Sequence, residues 1–62
     1  MLSNQWGYSV YIIDDEGQEQ NAGPYSEIAI AHLVGLEWIS VICNFKECYV
    51  YDNKTKQILY KF

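Results

Sequence analysis

The sequence predicts an α+β domain: a small antiparallel β-sheet of four to five strands, in the order β(β)αβββ, with one α-helix packed on one face. Three observations predict it. Runs rich in β-branched and aromatic residues lie on both sides of a single helical segment. Turn residues, chiefly Asp, Asn and Gly, separate the runs on the strand side. Residues 1–62 are too few for a second domain, so one domain is expected.

The elements follow in order. Residues 6–13, Trp-Gly-Tyr-Ser-Val-Tyr-Ile-Ile, read as a strand. Asp14-Asp15-Glu16-Gly17 is a turn in which Gly17 is free to take positive φ. Residues 18–22 return as a short polar edge strand, or stay loop. Gly23-Pro24 breaks the chain. A helix is expected over residues 27–36, with Ser26 as N-cap and Glu27 placed to complement the helix dipole. Gly35 sits near its end, and Trp38-Ile39 restarts a β pattern. Residues 38–44, 47–52 and 57–62 are then three further strands, the last two joined by a hairpin at Asp52-Asn53-Lys54-Thr55.

The alternation assigns faces. A turn at Phe45-Lys46 opposes Cys43 to Cys48, Val41 to Val50 and Ile42 to Tyr49. The next turn opposes Val50 to Ile58 and Cys48 to Tyr60. One sheet face is then Ile39, Val41, Cys43, Cys48, Val50, Ile58 and Tyr60, a coherent core. The other holds Trp38, Ser40, Ile42, Tyr49, Tyr51, Leu59 and Lys61, less polar than a face turned to water should be. On the helix, at about 100° per residue, Tyr25, Ile28, Ala29, His32, Leu33 and Leu36 form the stripe expected to cover the core. The far side has Glu27 and Glu37, yet Ile30 and Val34 stand between them. Ala31 and Gly35 form a small-residue groove. A helix apolar nearly all round is usually covered on both sides.

Composition narrows the function. A chain of this length rarely draws more than about 3–5 kcal/mol from its core, and six Tyr, two Trp and two Phe supply aromatic packing. Half the residues are apolar, too many for a disordered segment. The net charge is −4, and the chain has no Arg. All four cations, Lys46, Lys54, Lys56 and Lys61, lie after residue 45, and six of the eight acids before it. Arg reads bases and grips phosphate in a bidentate way, so no nucleic-acid partner is expected. Residues 1–5 carry no basic residue and no apolar run follows them, so no signal peptide or presequence is expected. The longest apolar stretch, residues 28–36, is far below the ~20 residues that span a bilayer. The expectation is a cytoplasmic protein without a membrane partner.

No catalytic motif emerges, and no cofactor is expected. Cys43 and Cys48, spaced C-x4-C, with His32, offer three metal or redox groups, but the spacing is unlike the usual C-x2-C pairs and no fourth soft ligand exists. Their plainer reading is as small core residues and a packed histidine. Asp14-Asp15-Glu16 lacks the alternate ligand spacing of a calcium loop. No glycine stands in a phosphate-binding context.

What remains is surface. Tyr and Trp give rigid apolar area with a polar tip, as binding surfaces favour. The expected partner-binding residues are Glu27, Ile30, Val34, Trp38, Tyr49 and Tyr51. Burying Ile30 and Val34 on each of two copies yields ~6–12 kcal/mol gross, against ~4–15 kcal/mol for association. The helix ridge about breaks even and needs further contacts. The sequence thus points to a non-enzymatic protein-binding module, a homodimer that inhibits a larger intracellular protein, as small acidic proteins of phages and mobile elements do. The alternatives are a thiol-redox or metal-binding protein using Cys43, Cys48 and His32, and an acidic mimic of nucleic acid.

Overall fold

A computed structural model describes residues 7–62 of the chain. The elements follow as β1 (Tyr8–Asp14), β2 (Glu19–Tyr25), α1 (Ile28–Val41), β3 (Phe45–Asp52) and β4 (Gln57–Lys61). The strands form one sheet in the order β2-β1-β3-β4, antiparallel throughout. The α+β class expected from the sequence is the one adopted: a four-stranded antiparallel sheet and one helix. Trp6, expected to open the first strand, lies outside the described residues.

The core forms where the two central strands meet. Val10 and Ile12 of β1 lie opposite Val50 and Cys48 of β3. All four are fully buried, and Ala31 of α1 closes over them. The β1–β2 turn forms because the Asp14 carboxylate accepts hydrogen bonds from the backbone N–H groups of Glu16 and Gln18, both at 2.9 Å. Gly17 there takes φ 87°. Strand β2 does not stop at Gly23-Pro24 as expected but runs through it to Tyr25. As an edge strand it tolerates proline, which has no N–H to give a ladder. Gly23 adopts φ 113°, and a Cβ there would sit 3.0 Å from the Tyr8 carbonyl oxygen.

The β3–β4 hairpin lies where expected, with its register shifted. The Asp52 carboxylate accepts from the Lys54 N–H at 2.9 Å. A bulge sets Val50 opposite Tyr60 and Tyr51 opposite Ile58, so the expected pairs Val50–Ile58 and Cys48–Tyr60 do not form. Ile58, expected in the core, is exposed. Asn53 ties this hairpin to the start of β1: its N–H donates to the Gly7 carbonyl at 3.0 Å, and its side-chain amide donates to Ser9 Oγ at 2.9 Å. Ser9 is the buried polar side chain that this amide satisfies.

Residues 38–44 depart furthest from the expected fold. No strand forms there; α1 continues five residues beyond its expected end, to Val41, and the Ile42 N–H closes it on the Trp38 carbonyl at 2.7 Å. Trp38, Ile39 and Ile42 all pack against the core from the helix. Tertiary packing thus overrides the β preference of Trp-Ile-Ser-Val-Ile. The expected pairings of residues 41–43 with 48–50 are replaced by Ile12–Cys48, Tyr11–Tyr49 and Val10–Val50. The N-cap is Glu27, one residue after the expected Ser26, and it makes no side-chain capping bond.

The helix also faces the sheet on a different side. Its buried residues are Ala31 and Gly35, with Val34, Trp38 and Ile39 packed around them. Ile28, Leu33 and Leu36, expected in the core, are exposed. The reason lies in what already fills the sheet's inner face. The Phe62 ring sits against Gly35 so closely that a Cβ there would overlap it. It packs beside Tyr60 and His32 at ring-centroid separations of 5.7 and 5.2 Å. Aromatic bulk on the sheet demands the smallest residues on the helix, and the Ala31–Gly35 groove supplies them. That groove takes its partner from within the chain.

Candidate interaction surfaces

Two surfaces remain uncovered among the described residues. The first is the outer side of α1. Ile30, Leu33, Glu37 and Val41 recur at helical spacing on the side away from Ala31 and Gly35, with Leu36 on the flank. Leu33 is 63% exposed and Val41 74%, against 41% for Ile30. Isolated exposed apolar residues are ordinary on a protein surface. Here they follow one another along a single helix face, interrupted by Glu37, with no Lys or Arg anywhere on α1.

The second surface is the sheet face turned away from α1. Residues directly opposed across a ladder share a face, so the register builds this one row by row. Asn21, Tyr11, Tyr49 and Lys61 form one row, from edge to edge. Glu19, Ile13 and Glu47 form the next. Tyr11 and Tyr49 stack with ring centroids 5.4 Å apart and planes 17° from parallel. Tyr51 meets Tyr11 edge-on at 5.6 Å. The three rings are half-buried, and α1 packs on the opposite face of the sheet. Burial raises the Tyr49 phenol pKa above its ordinary value, with Glu19 and Glu47 adding to the rise. Lys61 reaches the Glu47 carboxylate at 3.9 Å across exposed surface, a contact of small energetic weight.

The residues expected to bind a partner are thus divided. Ile30 lies on the exposed helix ridge, and Tyr49 and Tyr51 on the open sheet face. Glu27 is exposed at the start of α1. Val34 and Trp38 belong elsewhere than expected: both pack against the core from α1, and Trp38 is not on the sheet. Leu33, Leu36 and Val41, expected inside, are exposed, and this becomes legible only once the bulk of Phe62 against Gly35 fixes which way the helix turns.

Cys43, Cys48 and His32 do not gather into one site. Cys43 is exposed after the helix, while Cys48 is buried opposite Ile12. Burial pushes the Cys48 thiol pKa up, which disfavours the reactive thiolate. His32 Nδ1 shares a 2.9 Å hydrogen bond with the Tyr60 hydroxyl. Among the described residues no group of three or more His, Cys, Asp or Glu side chains is placed to hold a metal ion. Nor is any helix among them long and apolar enough to cross a membrane.

These shifts set the direction of alkaline stability. Cys48, Tyr49 and Tyr60 all have pKa values raised in the fold, each chiefly by burial. A raised pKa means the folded state holds the proton more tightly than the unfolded chain, so this stability is complete below the unfolded values of 9.0 and 10.0 and is lost as pH climbs past them. The melting temperature should therefore fall as pH rises above 9.0, and Cys48→Ser should soften the first part of the fall. A thermal melt followed by circular dichroism across alkaline pH checks it.

Comparison with protein-family models, with curated proteins and with solved structures finds no match to this chain.

Proposed function

We propose that the chain is a non-catalytic protein-interaction module that pairs with a second copy of itself and inhibits a larger intracellular protein by covering part of its surface. The observation that carries this reading is the uncovered apolar ridge of α1, where Leu33 and Val41 keep more than half of their surface in water. Four ridge and flank residues on each copy, already part-buried, gain on the order of 6–12 kcal/mol gross when covered. Association costs about 4–15 kcal/mol. The balance supports a reversible, concentration-dependent pair rather than an obligate one. The open sheet face, rich in tyrosine, then stays available for the target, since it lies on the other side of the molecule from α1.

Affinity capture tests the target half of this reading. Chain immobilised through an added tag should retain a specific protein from a lysate of its native source, and Tyr49→Ala with Tyr51→Ala should reduce the yield. Anchor residues of this kind are each worth more than about 1 kcal/mol. Retention of the same proteins by the wild type and the double variant contradicts the role of the sheet face.

A further inference from the structure

We infer that the open sheet face is a docking site for a cationic segment of the partner protein, with Tyr11, Tyr49 and Tyr51 as the platform for Lys or Arg side chains and Glu19 and Glu47 as their counter-charges. This deepens the reading above by giving the partner's chemistry, and it rests on that reading. Three features of the face lead to it. Its centre is a cluster of phenol rings, whose π-systems attract ammonium and guanidinium groups, and guanidinium most often. Glu19 and Glu47 flank Ile13 in the adjoining row. Exposed Asp15 and Glu16 in the β1–β2 turn extend the acidic end. The only cation among the residues of these two rows is Lys61, at the β4 edge and already beside Glu47.

The complementarity selects against other occupants. A second copy would bring the same tyrosines flanked by the same acids, and like charges would oppose. Nucleic acid would set phosphates against Glu19 and Glu47, with no arginine in the chain to meet them. An apolar ligand would strand the phenol hydroxyls of Tyr11, Tyr49 and Tyr51, none of which has a hydrogen-bond partner among the described residues. A basic segment in extended form presents every second side chain to the sheet, as the residues of a strand do, and satisfies rings, hydroxyls and carboxylates together.

Titration of the isotope-labelled chain with a short peptide alternating arginine and serine tests this, read by amide chemical shifts. Shifts should concentrate at Tyr11, Ile13, Glu19, Glu47, Tyr49 and Tyr51. The same peptide with citrulline in place of arginine, equal in shape but uncharged, should not bind. Tyr49→Leu and Glu19→Gln should each weaken binding about fivefold, while Tyr49→Phe keeps it. Glu19 lies exposed on an edge strand, so its substitution leaves the fold intact and guards against a misfolded tyrosine variant. No binding, equal binding of the citrulline peptide, or shifts spread alike over Glu27 and Glu37 would each overturn the assignment. Ile30→Asp with Leu33→Asp should leave peptide affinity unchanged. A monomeric chain that binds the peptide would refute the self-pairing and not this site, and a pairing chain that ignores the peptide the reverse.

Discussion

Ile12→Ala should leave the chain mostly unfolded at room temperature. Ile12 has 1% of its surface exposed and is among the largest of the fully buried side chains. It lies at the centre of β1, with Cys48 opposite on one side and Gln20 on the other. Truncating such a residue costs about 2–5 kcal/mol through lost transfer energy and the cavity left behind. A core of this size supplies about 3–5 kcal/mol in all. The two figures are equal within their spread, so a single truncation consumes the stability. Near-ultraviolet circular dichroism should lose its aromatic signal. A melting temperature within about 4 °C of the wild type would show that the stability lies elsewhere.

Ile30→Asp with Leu33→Asp should have the opposite profile, abolishing self-pairing while leaving the fold intact. Both side chains are exposed in the single copy, so the substitutions should each alter its stability by about 0.5 kcal/mol or less. Across a pair they would set four carboxylates in an interface, beside Glu37 of each copy. Desolvating them outweighs the ~6–12 kcal/mol gross gain of the apolar ridge. The variant should sediment as a single copy at every concentration, with its circular dichroism unchanged. Val34→Asp, by contrast, should unfold the chain, because Val34 packs against the core. The difference between neighbours one turn apart on α1 tests the orientation of the helix as well as its role.

Much of the fold is written in local chemistry. The β1 run Ser-Val-Tyr-Ile-Ile and the two Asp-led turns declare themselves, because Asp14 and Asp52 each bond to the backbone just beyond them. The helix start is legible to within a residue. Its end is not, since Trp-Ile-Ser-Val-Ile reads as strand by propensity and becomes helix only because Trp38, Ile39 and Ile42 find the sheet beneath them. Helix orientation fails for a related reason. The widest apolar stripe is the natural candidate for the inside, but Phe62 occupies the space those leucines would need, and Ala31 and Gly35 take the contact. That information sits 27 residues away in the sequence, at the chain's last position. On the open sheet face, Tyr49 and Tyr51 are legible from alternation alone. Their stacking partner Tyr11 is an interface-type residue in the sequence as well, but its place on that face is not legible, because it depends on β1 pairing with β3, a contact between strands far apart in sequence.

Sedimentation equilibrium of the unmodified chain over a wide concentration range shows directly whether a second copy meets the apolar ridge of α1. The weight-average mass should climb from 7.2 kDa toward twice that value as concentration rises. A mass that stays at 7.2 kDa up to the solubility limit would contradict this pairing.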